Sequence, residues 1–259
     1  MISYNKLINS VNKKNTFLCV GLDSDINKIP NNFVKNINGL FEFNKMIINY
    51  TKQFTAAYKI NFAFYEQYGG DGYRLINETI KLIPNDIFII ADAKRGDIGN
   101  SSVAYSKSVF QQMNFDAITI SPYMGIDSIS PFVEDKNKMI FVLALTSNPG
   151  SNDFQRIIAN NKPLYKHIIE KISNNFDLKN VGFVIGATHP NELTDIRNII
   201  PNNVILIPGV GTQGGNINQI IKANNNAPAL INVSRDIIYA DNINDKAMYY
   251  HLKLIKNKN

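Results

Sequence analysis

Eight short apolar runs, separated by stretches of helical periodicity, constrain the fold of this chain more than any other feature. They occupy residues 17–21, 56–60, 87–91, 117–120, 140–145, 181–185, 204–207 and 229–233. Each is apolar almost continuously rather than at alternate positions, which suits parallel strands covered on both faces. Between them, Phe43, Met46, Ile47, Tyr50 and Phe54 share one helical face, as do Ile76, Ile80 and Ile83. Leu164, Ile168, Ile172 and Phe176 recur every four residues behind Pro163, a residue well suited to a first helical turn. Leu193, Ile196 and Ile200, then Ile217, Ile220 and Ile221, then Met248, Leu252 and Ile255 continue the alternation. Eight strands alternating with helices fit an α/β chain of the (β/α)8 TIM-barrel class better than a doubly wound sheet. No linker or low-complexity tract divides the sequence, so one barrel domain over residues 1–259 is expected.

Several other classes are set aside by composition. The net charge is +6, but Lys is scattered, as at Lys13, Lys14, Lys136, Lys138, Lys253, Lys256 and Lys258, with no basic block. A solvated surface explains this better than nucleic-acid binding, and no nucleic-acid partner is expected. Cys19 is the only cysteine, so a disulfide framework and a cysteine-rich metal site are both ruled out. It lies within an apolar run, where a small buried hydrophobe is the default. The stretch from Met1 to Lys6 lacks the apolar run of a signal peptide, and no run approaches the ~20 residues of a membrane span. A cytoplasmic protein with no membrane association is expected.

A barrel of this kind carries its active site at the carboxyl ends of the strands. The residues at and just beyond the ends of the runs are therefore the informative ones: Asp23; Lys59 and Asn61; 92–100; Ser121, Pro122 and Tyr123; Thr146, Ser147, Asn148 and Pro149; 186–189; 208–215; and Ser234 with Arg235. At the seventh and eighth ends, glycines allow close backbone approach to an anion and Arg235 offers a bidentate clamp, the arrangement with which barrels hold a substrate phosphate. A plain Gly-rich turn beside a surface Arg is the alternative. At the third end, Asp92 and Lys94 lie two apart and can both face the barrel mouth, with Lys59 and Asp97 completing an alternation of charge. Flanking carboxylates keep a desolvated Lys protonated and able to donate to a very basic carbon. The competing interpretation is a surface ion-pair cluster of little energetic worth.

The segment Asp92-Ala93-Lys94-Arg95-Gly96-Asp97-Ile98-Gly99-Asn100 resembles the Asp-x-Lys-x-x-Asp-Ile-Gly-Asn signature of the orotidine 5′-phosphate decarboxylase family. Val20-Gly21-Leu22-Asp23, Lys59-Ile60-Asn61, the glycine-rich segment from Pro208 to Gly215 and Ser234-Arg235 follow in that family's order. The resemblance spans about residues 16 to 241, and Phe64–Gly69 with Gly186-Ala187-Thr188 is similar to its longer bacterial subgroup. It implies conversion of orotidine 5′-phosphate to UMP and CO2, in pyrimidine biosynthesis, with no metal and no organic cofactor. By position, it implies that Lys94 protonates C6, that Asp92 lies beside the substrate carboxylate, and that Lys59 bridges Asp92 and the ribose. Asp97 and Ile98 would reach the neighbouring subunit's site in a homodimer, with Ser101 also among the substrate-binding residues. Asp23 would bind ribose hydroxyls and Ser147 the pyrimidine, while Gly209, Gly211, Gln213, Gly214, Ser234 and Arg235 would hold the phosphate. The chain departs from many members at Ser234, where they carry Gly, and in the fifth-strand loop.

Two other functions compete. A Mg2+-dependent keto-gulonate phosphate decarboxylase would share Asp-x-Lys-x-x-Asp but place an acidic metal ligand where this chain has Lys59. A non-catalytic phosphate-binding barrel predicts loss of at least one of Lys59, Asp92, Lys94 and Asp97, yet all four are present. His167, His189 and His251 are spaced for neither a zinc site nor a catalytic triad and are expected at the surface or in loops.

Overall fold

The continuous apolar runs become strands whose residues are buried on both faces, one set against the barrel interior and the other against the helices. In the computed structural model, which describes residues 2–211 and 215–255, ten strands occur in chain order. They are β1 (Leu18–Leu22), β2 (Ala57–Asn61), β3 (Phe88–Arg95), β4 (Ala117–Ile120), β5 (Met139–Leu145), β6 (Ile158–Ala159), β7 (Lys162–Pro163), β8 (Val181–Ile185), β9 (Ile205–Pro208) and β10 (Ala229–Val233). All except β6 and β7 are parallel and close into a barrel, β1-β2-β3-β4-β5-β8-β9-β10, with β10 returning to β1. The eight runs of the sequence are these barrel strands, displaced by at most a single residue at their ends, except that β3 continues four residues beyond its run to Arg95. Helices between them, such as Ile37–Thr51, Gly70–Leu82 and Leu164–Ser173, form the outer layer.

Three features differ from the pattern read in the sequence. A helix over Ser3–Lys14 precedes the barrel and buries Leu7 and Val11. Ser10 Oγ donates to the Ala56 carbonyl at 2.7 Å, and Lys6 Nζ pairs with Asp116 at 2.6 Å. Both partners immediately precede strands, so this helix covers the end of the barrel opposite the active-site mouth. The loop after β5 holds a small antiparallel hairpin, β6 paired with β7. Finally, the helix Ile243–Lys253 packs through Ile243, Ala247 and Tyr250, while Met248 and Leu252 are exposed. The stripe of Met248, Leu252 and Ile255 therefore marks the wrong face; the aromatic Tyr250 and the small Ala247 set the buried one.

β3 is the irregular strand. It pairs with β4 at Ala91↔Ile118 and next at Arg95↔Ile120, so four steps along β3 span two along β4. This bulge lies at the carboxyl end, where bulges re-aim side chains.

Away from the mouth, Arg197 is buried on the helix Pro190–Ile199, without a carboxylate partner among the described residues. It donates to Asn224 Oδ1 and to the carbonyls of Ile200, Asn203 and Pro228. These contacts tie together the connections that lead into β9 and β10. Arg197→Met should keep the packing volume but leave those acceptors unsatisfied, lowering stability by about 2–4 kcal/mol; urea unfolding checks this, and a loss below about 0.5 kcal/mol would contradict it.

Candidate active site

The barrel interior is apolar until its carboxyl end, where Asp23 just beyond β1, Lys59 of β2, Asp92 of β3 and Thr119 of β4 face the cavity. Register places Lys59 of β2 beside Gly21 of β1 and Ile90 of β3, with Asn61 beside Asp92. The glycine matters at this point, because a Cβ on Gly21 would lie 1.9 Å from Ser234 Oγ. From this layer rises a row of charges. Lys59 Nζ lies 3.6 Å from Asp23 Oδ1 and 2.7 Å from Asp92 Oδ2, and Lys94 Nζ lies 2.6 Å from Asp92 Oδ1. The Lys59 and Asp92 side chains are only 4% and 9% exposed, whereas Lys94 is half-exposed toward the mouth.

Burial and charge oppose each other here. Burial pushes the Asp92 carboxyl up, but the Lys59 and Lys94 ammonium groups overcome it and hold the group well below the usual carboxylate range. Burial likewise pushes Lys59 down, and Asp23 and Asp92 outweigh it, holding the ammonium above its ordinary value. Cys19, beneath the row, has its thiol pushed up to about 12 by burial, which suits an inert core residue.

Asp23 is placed by clamps on either side. Tyr65 Oη donates to the Leu22 carbonyl at 3.0 Å, and the Asp25 N–H donates to Tyr239 Oη at 2.9 Å. Its Oδ1 is buried and, apart from the 3.6 Å ion pair with Lys59, accepts no hydrogen bond from the described residues. An orphaned acceptor facing a cavity is a site for a donor, such as a ligand hydroxyl.

The row forms one wall of a cavity of about 390 Å3 at the barrel mouth. Leu143, Val184 and Leu206 supply an apolar wall, Thr146 and Ser147 line the side beneath the β5 loop, and Gly209, Ser234 and Arg235 line the far end. Gly209 and Gly211 have φ of 100° and 88°, the region that side chains resist, so the turn after β9 depends on glycine. Gln213 and Gly214 lie outside the described residues.

Lys59, Asp92, Lys94, Asp23, Ser147, Gly209, Ser234 and Arg235 thus share one cavity. Asp97, Ile98, Ser101 and Gly211 do not line it. Gly96 packs against Ser121 and the chain turns away, so Asp97 Oδ1 accepts the N–H of its own neighbour Ile98 at 2.8 Å. Within one chain, the alternation of charge is closed by Asp23 rather than by Asp97. Lys94 also reaches the mouth differently from simple strand alternation: it sits in the β3 bulge with φ 48°. Thr119 and Asn232 line the cavity too and were not singled out from the sequence. Their signal was present, since each is a polar residue inside an apolar run, at an inward position of its strand. No His lines the cavity; His189 Nε2–H donates to the Thr146 carbonyl at 2.9 Å while Arg156 donates to Nδ1. Among the described residues, no group of three or more His, Cys, Asp or Glu could hold a metal ion, and no helix is long and apolar enough to cross a membrane.

Residues 16–250 match the family model described as Orotidine 5′-phosphate decarboxylase / HUMPS. An orotidine 5′-phosphate decarboxylase of Christiangramia forsetii is 48% identical over 240 residues, covering 91% of this chain and 88% of that protein. Another, from Porphyromonas gingivalis, is 46% identical over 92% of this chain and 88% of its own length. Among solved structures, the OMP decarboxylase of Leishmania donovani is similar with a TM-score of 0.89 and 35% identity, covering 98% of this chain and 97% of that one. The UMP synthase of the same organism is similar with a TM-score of 0.87 and 37% identity over 95% of this chain; the chain spans 55% of its length.

The Lys59–Asp92 pair generates a stability prediction. Asp92, with its folded value lowered, contributes stability above its unfolded value near 4, lost only as pH falls through the lower folded value. Lys59, with its folded value raised, contributes fully below its unfolded value near 10.4, lost as pH rises through the higher folded one. A double-mutant cycle with Lys59→Met and Asp92→Leu should therefore give a coupling of about 3 kcal/mol, flat from about pH 5 to 9. Denaturant unfolding of the four proteins measures it; a coupling below about 1 kcal/mol would mark a solvent-screened pair.

Proposed function

The chain belongs to the orotidine 5′-phosphate decarboxylase / HUMPS family, and from that premise we propose that it converts orotidine 5′-phosphate to UMP and CO2 by direct decarboxylation. The observation that carries this reading is the row Asp23–Lys59–Asp92–Lys94 on one wall of a cavity whose other end holds Gly209 and Arg235. The curated relatives named for this activity, at 46–48% identity across most of the chain, support it.

In the proposed reaction, the bond between C6 and the carboxylate breaks and its electron pair stays on C6. CO2 leaves, and Lys94 transfers one proton to C6; the neutral amine then regains a proton from water. No ring position delocalises that pair, so the barrier is large, and each tenfold acceleration needs ~1.36 kcal/mol of transition-state stabilisation. The Lys94 ammonium supplies it selectively, because it attracts the developing carbanion more strongly than the reactant carbon. Asp92 stands beside the departing carboxylate and fixes Lys94. Lys59 neutralises Asp92 and, with the orphaned Asp23 Oδ1, meets the ribose hydroxyls. Ser147 contacts the pyrimidine, and the apolar wall of Leu143, Val184 and Leu206 shelters the reacting face from water. The phosphate lies at Gly209, Gly211, Gln213, Gly214, Ser234 and Arg235, and its binding energy draws the surrounding loops over the ring. No metal or organic cofactor takes part. A Mg2+-dependent sugar-phosphate reaction would require an acidic ligand at the end of β2, and there the Lys59 ammonium already holds Asp92 at 2.7 Å.

We also propose that the working unit is a homodimer whose sites are shared, with Asp97, Ile98 and Ser101 completing the partner's cavity. Supporting this, Asp97 leaves its own mouth, and Ile98, Tyr123 and Met124 are exposed apolar side chains beside the same strand ends, with Tyr123 91% exposed. Exposed apolar groups gathered in this way mark an association surface.

The purified protein should consume orotidine 5′-phosphate, followed by ultraviolet absorbance, at the same rate before and after exhaustive EDTA treatment. No turnover would end the decarboxylase reading, and recovery only with Mg2+ would favour the sugar-phosphate chemistry. For the shared site, inactive Lys94→Ala and Asp97→Ala proteins should regain activity when their subunits exchange. At random mixing half the dimers are hybrids with one intact site each, so about a quarter of wild-type activity is the ceiling. No recovery, despite exchange shown by mass-tagged subunits, would place Asp97 in its own chain's site.

A further inference from the structure

Thr119 stands in the middle of the charged row without carrying a charge. It lies on β4, is 1% exposed and points into the cavity. Its hydroxyl meets two groups of opposite demand: the backbone N–H of Lys94 at 2.9 Å and Asp92 Oδ1 at 3.0 Å. The polarity of the pair is forced. An N–H can only donate and an ionised carboxylate can only accept, so Oγ1 accepts from Lys94 and gives its single proton to Asp92. Lys94 Nζ returns to that same carboxylate oxygen at 2.6 Å. A closed ring results, running from the Lys94 backbone through Thr119 to Asp92 and back through the Lys94 side chain.

This ring falls where the backbone is least able to hold itself. Lys94 is in the left-handed region with φ 48°, inside the stretch where β3 and β4 lose register. A non-glycine residue persists there only when its surroundings over-determine it. The N–H of Lys94 has no place in the regular β3–β4 ladder at this point, and the Thr119 hydroxyl receives it. The same hydroxyl also sets the rotation of the Asp92 carboxylate. Oδ1 takes Thr119 and Lys94 while Oδ2 is left for Lys59.

We propose that Thr119 is the positioning residue for the proton donor: it fixes both where the Lys94 backbone turns and which way the Asp92 carboxylate faces, and so fixes where the Lys94 ammonium points. This deepens the decarboxylase reading and rests on it. Thr119 touches no reacting atom in this role; it acts through its two neighbours. A misplacement of about 1 Å in a reacting group can cost about 10²-fold in rate, so its removal acts on turnover rather than on substrate affinity, which the phosphate end supplies.

The test uses the intact enzyme and three substitutions. Thr119→Val keeps the shape and β-branching but removes both hydrogen bonds, Thr119→Ser keeps both, and Thr119→Ala leaves room for a water should the valine variant fail to fold. Unfolding is measured beside steady-state kinetics with orotidine 5′-phosphate, so that rates refer to folded protein. Thr119→Val, or Thr119→Ala in its place, is expected to lose about 10- to 100-fold in kcat with KM within about threefold, and Thr119→Ser to recover most of that loss. A purely structural residue would lower the unfolding midpoint and leave kcat alone. The proposal is overturned by a valine or alanine variant turning over within twofold of wild type, by a change confined to KM, or by a serine variant as slow as valine. Failure of the parent reading is separate, because then wild type itself would not turn over.

Discussion

Taken out of water and left with its full negative charge, the Asp92 carboxylate is the constraint from which the rest of the mouth follows. An unpaired ion in that place would cost several kcal/mol. Its neighbours are therefore donors: Lys59 on one oxygen, Lys94 and Thr119 on the other. Lys59 is itself buried and needs a second anion, which Asp23 provides. Remove Asp92 and two ammonium groups face each other across a low-dielectric pocket with their shared counter-charge gone. The arrangement is stable at rest only because positive and negative groups alternate along it.

The two ends of the cavity are joined by more than the cavity itself. Tyr239, in the segment that begins at Arg235, receives the Asp25 N–H, stacks on Phe43 and has its N–H bonded to the Arg235 carbonyl. The loop that carries Asp23 is thereby tied to the segment that carries the Arg at the far end. An anion drawn to Arg235 and a hydroxyl drawn to Asp23 are thus read by two parts of one braced frame. This suits a substrate whose distant charge is used to order its reacting centre.

Much of this was legible in the sequence, for a physical reason. Strands buried on both faces must be apolar throughout, so the eight runs stand out, and the fold then states that a polar residue at or just beyond the end of a run faces the mouth. Asp23, Lys59, Asp92, Ser147 and Arg235 were found by that logic, and all line the cavity. What escaped was set by tertiary context. Thr119 and Asn232 sit inside runs and read as strand residues, since a hydroxyl or amide there gains meaning only when its neighbours are known. The β3 bulge was invisible because Asp92-Ala93-Lys94 reads as plain alternation. The last helix misled because Tyr250 and Ala247, rather than the more apolar Met248 and Leu252, meet the barrel. Asp97 escaped because the chain turns after Gly96, so that its carboxylate bonds the Ile98 N–H instead of lining the cavity.

The left-handed backbone at Lys94 has one more consequence. For the backbone alone, glycine would suit that position better, since it adopts φ 48° without the resistance of a Cβ. The fold instead keeps there a long cationic side chain, in a conformation it does not favour. Backbone and charge therefore make opposite demands at position 94: glycine would relieve the left-handed φ, but it would also strip the buried Asp92 of one of its two cationic partners.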